Sequence, residues 1–135
     1  MPYSVTFEDN YRSAELTHHG DVDAQEIEAS RQDLAACANT KMASGAIINI
    51  VDAEITASPV DIIDNVEGLI RDFKFNAKLA FVSRPEAQET VSMIVATVAH
   101  KSGFKVGQFS DLEKARRWVS STTPRADEYD NRPGV

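Results

Sequence analysis

Two stretches concentrate the side chains able to do chemistry. His18-His19-Gly20-Asp21-Val22-Asp23 offers two imidazoles and two carboxylates, a donor set suited to a divalent metal. Adjacent strand residues point to opposite faces, so His18 and His19 meet one ion only if the chain bends between them. The expectation is a polar turn without a metal, in which Asp21 or Asp23 caps the helix that follows. The second stretch, Asp52-Ala53-Glu54-Ile55-Thr56-Ala57-Ser58-Pro59-Val60-Asp61, places two hydroxyls among carboxylates ahead of an apolar-periodic run. Ser58 followed by Pro59 and then Asp61 spells a helix N-cap with a capping box. Ser58 and Thr56 are also candidate phosphosites, because a phosphate beside a helix N-terminus is electrostatically favoured.

A nucleophile needs a base within hydrogen-bond reach. His100 is a candidate base for Ser58 or Cys37, yet its place near the end of a predicted helix gives it a sufficient role opposing the helix dipole. Cys37, the single cysteine, falls among Leu34, Ala35, Ala36 and Ala38 and reads as a small core residue. Gly68 lies inside a predicted helix, on the side away from its apolar stripe, where it costs about 1 kcal/mol relative to Ala. Tolerated drift accounts for it, and close approach of a backbone or ligand would justify it. No phosphate-binding glycine motif and no His-Glu-x-x-His string is present. The chain carries no enzyme signature, and no cofactor or metal is expected.

The elements that position these residues alternate. Tyr3, Val5 and Phe7 alternate with polar neighbours over 3–9, and a turn at Asn10 leads to a second strand over 11–17, a hairpin. Further strands are predicted at 45–52, 77–82 and 104–109. Ile47, Ile48, Ile50 and Val51 are apolar on both faces, which makes 45–52 the central strand. Helices are predicted over 23–38, 59–73, 85–101 and 111–120, with Gly103 as a left-handed cap to the third. The order β-β-α-β-α-β-α-β-α implies right-handed crossovers and a five-stranded mixed, mostly parallel sheet with four helices. Residues 1–120 read as one α/β domain and 121–135 as a flexible tail.

The chain has 135 residues, enough for one core without disulfide or metal staples. Net charge is −7, and the first 40 residues carry −6 of it, from eight acids against Arg12 and Arg31. That balance repels phosphate backbones and anionic membranes, so nucleic-acid binding is not expected and an electrostatic partner should be cationic. One cysteine permits no intrachain disulfide, no leader pattern opens the chain and no apolar run spans a bilayer. The reading is cytoplasmic, with no membrane insertion.

Element order, together with Phe109, Asp111, Ala115 and Trp118 in the phrase Phe-x-Asp-x-x-x-Ala-x-x-Trp, resembles the SpoIIAA-like family. These small bacterial proteins are related in fold to STAS domains, including anti-sigma factor antagonists, and to CRAL-TRIO lipid-binding domains. The resemblance covers residues 3–120. It implies a regulatory module, and in the antagonists a phosphorylatable serine in Asp-Ser-Ser-Gly follows the central strand. Here Asp52 to Asp61 stands in that place with Thr56 and Ser58, without the Ser-Ser pair or the glycine.

The function expected is thus a non-enzymatic regulatory or protein-binding module whose contacts run through residues 52–68, with Asp52, Glu54, Asp61, Asp64 and Gly68 as contact residues. Two alternatives stand beside it. A small carrier of an apolar ligand needs a cavity lined by residues such as Ile62, Val66, Phe73 or Ile94. An unrecognised hydrolase using Ser58, His100 or the His18 cluster needs a histidine with perturbed titration in a cleft. Twofold self-association is expected through a strand edge or the second helix.

Overall fold

The computed structural model describes residues 3–74 and 77–121. Five strands lie in the order β1-β2-β3-β4-β5, so each strand hydrogen-bonds its neighbour in sequence. β1 (Tyr3–Glu8) and β2 (Ser13–Val22) form an antiparallel hairpin, while β3 (Gly45–Ile55), β4 (Lys78–Val82) and β5 (Val106–Phe109) continue the sheet in parallel. The intervening helices are α1 (Ala24–Lys41), α2 (Pro59–Asp72) and α3 (Glu89–Ser102), and α4 (Leu112–Ser120) ends the described chain. The mixed α/β architecture read from the sequence is the one observed.

Three right-handed crossovers stepping the same way along a sheet leave their helices on the same face. Accordingly α1, α2 and α3 contribute Leu34, Ile62, Leu69 and Val95 to one core, together with Leu16, Ile48 and Phe81 from the sheet. Among the described residues the opposite face carries α4 alone, where Ala115 and Val119 pack on Ile47, Ala80 and Val82. β3 is central, as its two-faced apolar pattern requires: Ile47 and Ile48 are buried on opposite faces. Gly103 closes α3 at φ 73°, its N–H donating to the Ala99 carbonyl, a left-handed cap that glycine adopts without a Cβ clash.

Several boundaries depart from the sequence reading: β3 runs to Ile55 and α1 to Lys41, each three residues past its predicted end, and two shifts are larger. β2 runs to Val22 instead of ending at residue 17, so His18 to Val22 form a strand and not a polar turn. Parallel pairing with β3 explains this: His19 opposes Asp52 and Val22 opposes Ile55, and ladder bonds satisfy backbone groups that a turn would leave to water. α3 begins at Glu89 and not at 85, because residues 84–88 form a loop around Pro85. Residues 122–135, where most of the flexible tail was expected, lie outside the described residues.

Candidate functional site

β3 outruns its partner on one side. Pairing with β4 stops at Asn49 opposite Val82, whereas pairing with β2 continues, after a register shift between Thr17 and His19, as far as Ile55. The result is a two-stranded ribbon beyond the main sheet, with His19 beside Asp52 and Asp21 beside Glu54. All four of these residues are exposed. Carbonyls on the β4 side of β3 would be orphaned there, and the loop before α3 supplies their donors. Gln88 Nε2 donates to Ile50 O at 2.7 Å and to Ala53 O at 2.9 Å, and Arg84 Nε donates to Val51 O at 2.5 Å. Gln88 is itself buried and held by the Arg84 backbone N–H, which donates to its Oε1 at 2.8 Å. Neither residue stood out in the sequence, because a glutamine between two predicted elements carries no pattern.

Ser58 follows the ribbon as the N-cap of α2, in extended backbone ahead of Pro59. Its Oγ accepts from Asp61 N–H at 3.2 Å and donates to Asp61 Oδ2 at 3.0 Å. The cap is as read, but the box is not reciprocal: the Asp61 carboxylate takes the Ser58 hydroxyl instead of the backbone N–H, since an aspartate is one methylene short of glutamate. Thr56 Oγ1 donates to Val22 O at 3.1 Å and so extends the ribbon. Thr56, Ser58 and Asp64 are exposed, and Asp61 is half-buried. Asp52, Glu54, Thr56, Ser58, Asp61 and Asp64 therefore lie along one continuous path, from ribbon through loop to the first turns of α2.

Gly68 does not belong to that surface. It is buried, contrary to the expectation of an outward position, and a Cβ there would lie 2.8 Å from Arg31 Cζ. The missing side chain lets the Arg31 guanidinium lie against α2, where Nε donates to Asn65 Oδ1 at 2.7 Å and Nη1 to Asp72 Oδ2 at 2.6 Å. Close approach is the explanation of Gly68, and what approaches is a side chain of α1.

His18 and His19 point to opposite sides of β2, one buried and the other exposed. Among the described residues no three His, Cys, Asp or Glu side chains converge as a metal site would require. His18 instead joins two residues of α1: its Nδ1 lies 2.7 Å from Glu26 Oε2, and its Nε2 lies 3.2 Å from Ser30 Oγ. Burial pushes the imidazole below its ordinary value, against the upward pull of Glu26. Of the two aspartates read as alternative caps, Asp23 is the one that caps α1, accepting from Glu26 N–H at 2.9 Å, which places Glu26 in the first turn facing His18. Sequence alone missed Glu26 and Ser30. The signal was their spacing of four on the helix after a histidine strand, which puts both on one helix face.

His18 and Ser30 also form part of the wall of a cavity of about 60 Å³ beneath α1 and α2, with Ile48, Ile62, Val66 and Phe81 among its apolar lining. Phe73 and Ile94 do not line it. The helices α2 and α3 both start beyond the C-terminal ends of parallel strands, β3 and β4, so Ser58 at the start of one and His100 at the end of the other lie at opposite ends of the strands. No hydrogen bond joins His100 to Ser58 or Cys37 among the described residues. His100 is exposed in the last turn of α3. Cys37 is half-buried, and desolvation raises its thiol above the ordinary range, the reverse of an activated nucleophile. Among the described residues no helix is long and apolar enough to cross a membrane.

No protein-family model matches the chain, and no curated protein matches it. Solved structures do. An uncharacterized protein from the DUF3478 family with a SpoIIAA-like fold, from Shewanella loihica PV-4, is 15% identical over 87% of this chain and 93% of that one, with a TM-score of 0.59. An anti-sigma factor antagonist from Mycobacterium paratuberculosis is 13% identical over 88% of this chain and 95% of that one, with a TM-score of 0.61. At such identities the likeness carries architecture alone, and on that ground the chain has the SpoIIAA-like fold.

Proposed function

We propose that this chain is a non-enzymatic regulatory module that binds a cationic protein partner through the β2–β3 ribbon and the start of α2. The observation that carries the reading is the ribbon itself. It projects past β4, is held rigid by Gln88 and Arg84, and presents Asp21, Asp52 and Glu54 to solvent beside Ser58 and Asp64. Exposed Val60, at 64% accessibility, adds an apolar anchor within that acidic rim. The same fold in an anti-sigma factor antagonist supports a protein partner. A phosphate on Ser58 would displace the Asp61 carboxylate, now 3.0 Å from the hydroxyl, while gaining the N–H groups of α2, and so would recast the surface. The site of action is the cytoplasm, and a second copy pairing along the β1 or β5 edge is the assembly to test by light scattering.

Photo-crosslinkers placed at Asp52 and Asp64 should capture one protein in cells, while the same group at Thr97 on α3 captures none. Asp52→Lys with Glu54→Lys should remove the adduct. Capture that is equal at all three positions, or indifferent to charge reversal, would overturn the reading.

The cavity favours a second reading, a carrier of a small apolar ligand, because Ile62 and Val66 line a void where a close-packed core would leave none. A small mass released on denaturing natively purified protein would support it. Release of nothing, with xenon failing to enter the cavity, would end it.

A further inference from the structure

We infer that copies of this chain stack head to tail, the acidic ribbon of one docking on a lysine-rimmed aromatic patch at the opposite end of the next. The inference deepens the regulatory reading and rests on it for one of the two surfaces. The ribbon and the start of α2 remain the binding face, and the cationic surface they meet is the far end of a second copy.

The helices α1, α2 and α3 run back against the parallel strands, so their last turns gather beyond the N-terminal ends of β3, β4 and β5. There Phe73, after α2, and Phe104, before β5, stack with ring centroids 5.8 Å apart. Both are half-buried, and each is followed by an exposed lysine, Lys74 and Lys105. Lys41 and Lys101 stand exposed in the last turns of α1 and α3. Backbone bonds fix the group: Lys74 N–H donates to Asn39 Oδ1 at 3.0 Å, and Lys105 O accepts from Leu79 N–H at 2.9 Å. Lys41 and Lys101 offset helix dipoles where they stand. Lys74 and Lys105 lie outside the helices and have no such role. Burial, with help from the Lys105 charge, pushes the Lys78 amine below its ordinary value, so like charges crowd here. Of the carboxylates near by, Asp72 is already held by Arg31 Nη1 at 2.6 Å, and Glu8 and Asp9 belong to the hairpin at the other edge of the sheet.

The ribbon end is the chemical counterpart of this patch. It sets exposed Val60 within a rim of Asp21, Asp52, Glu54 and Asp64, where the other end sets the Phe73–Phe104 pair within a rim of lysines. An apolar centre inside a charged rim is the anatomy of a protein interface, and here the two rims have opposite sign. One helix carries both anchors. Val60 lies in the first turn of α2 and Phe73 at its C-cap, and fourteen residues at 1.5 Å each set them about 20 Å apart along one axis. Because the two surfaces lie at opposite ends of that helix, the contact is heterologous. Each docked pair leaves one ribbon and one lysine patch unoccupied, and the same step repeats as an open chain instead of closing on a twofold axis.

Charge also sets the conditions. The net charge of −7 makes whole copies repel one another. At 0.1 M salt the screening length is about 10 Å, which damps repulsion between distant charges and spares pairs in contact. At 1 M it falls to about 3 Å, and contact pairs are screened as well. Stacking therefore belongs to moderate salt and is lost at high salt.

The experiment is sedimentation equilibrium on the purified full chain. At about 0.1 M salt the weight-average mass should climb with concentration past that of two chains, and at about 1 M it should fall to that of one. Asp52→Asn with Glu54→Gln removes the ribbon's charge, and Lys74→Gln with Lys105→Gln removes the patch's. None of these four side chains enters a hydrogen bond or ion pair among the described residues, so both variants should fold. Each alone should be monomeric. Mixed in equal amounts they should form a pair that grows no further, since each keeps one intact surface. A wild-type chain that stays monomeric at 0.1 M salt would overturn the inference, even where the crosslinker at Asp52 captures a different protein and the regulatory reading stands. A dimer plateau indifferent to both variants would overturn it too, because that is pairing along a strand edge. Stacking that both variants abolish, with no adduct at Asp52 in cells, would support the inference and count against the regulatory reading alone.

Discussion

His18 is buried at 3% exposure against Glu26, Ser30 and the Tyr3 ring, 5.8 Å away, and desolvation holds its folded pKa below the ordinary 6.5. Below pH 6.5 the unfolded chain therefore takes up a proton that the folded chain resists. The contribution is fully present above that pH and is lost as pH falls through the folded value. Denaturant midpoints measured between pH 7.5 and 5 should decline, and His18→Gln should flatten this part of the decline while costing about 1–3 kcal/mol at neutral pH for the buried partners it strands. An equally steep decline in the variant would assign the pH dependence to other groups. Ser58→Ala should cost about 1 kcal/mol of stability and Ser58→Asp less than that, because aspartate also serves as an N-cap but meets the Asp61 carboxylate that now accepts from the hydroxyl. Thermal melts of the two variants check this.

At the scale of elements, α1 and α2 meet through Arg31 and the space that Gly68 leaves for it. Gly68→Ala gains about 1 kcal/mol of helix propensity but pushes a flexible guanidinium off Asn65 and Asp72, an ion pair worth at most about 1 kcal/mol at this exposure. Net stability should therefore change by less than about 1 kcal/mol. The coupling is the sharper measurement. In the Gly68→Ala background, Arg31→Ala should cost nothing, and an undiminished cost would show that the contact survives. The ribbon depends on Gln88 in the same local way. Gln88→Ala strands the carbonyls of Ile50 and Ala53 and should cost about 1–3 kcal/mol, with faster hydrogen exchange confined to residues 50–56. Exchange that quickened evenly across β3 and β4 would contradict a local fastening.

For the whole molecule, the asymmetry of the sheet matters most. Among the described residues one face carries three helices and the other only α4, nine residues long. Polar ties reinforce its small apolar footprint. Arg116 forms a bidentate pair with Glu15 at 2.8 Å on both oxygens, Tyr11 donates to Glu113, and Lys78 Nζ donates to Trp118 O at 3.0 Å. Glu15 is buried and also accepts from Ser13 Oγ at 2.7 Å, so removing its cation leaves a charge out of water. Arg116→Met should cost about 2 kcal/mol, less than a fully buried pair because Arg116 is partly solvated, and should expose Trp118 to fluorescence quenchers. Unchanged quenching would mean that apolar packing alone holds α4.

The amino-acid sequence by itself determined the order of elements, the central place of β3, the caps at Ser58 and Gly103, an aspartate cap at either 21 or 23, and the acidic character of the first third. Each follows from short-range periodicity, local hydrogen bonding or simple charge counting. It did not determine where β2 ends, because residues 18–22 read as polar until β3 is placed beside them and their backbone is paired. Nor could it show that His18 meets Glu26 and Ser30, that Arg31 fills the gap above Gly68, or that Gln88 reaches residues 35 to 38 positions away. Those contacts join a strand to the helix crossing over it, or one helix to the next. Their partners are chosen by the packing of layers, and no spacing along the chain encodes that.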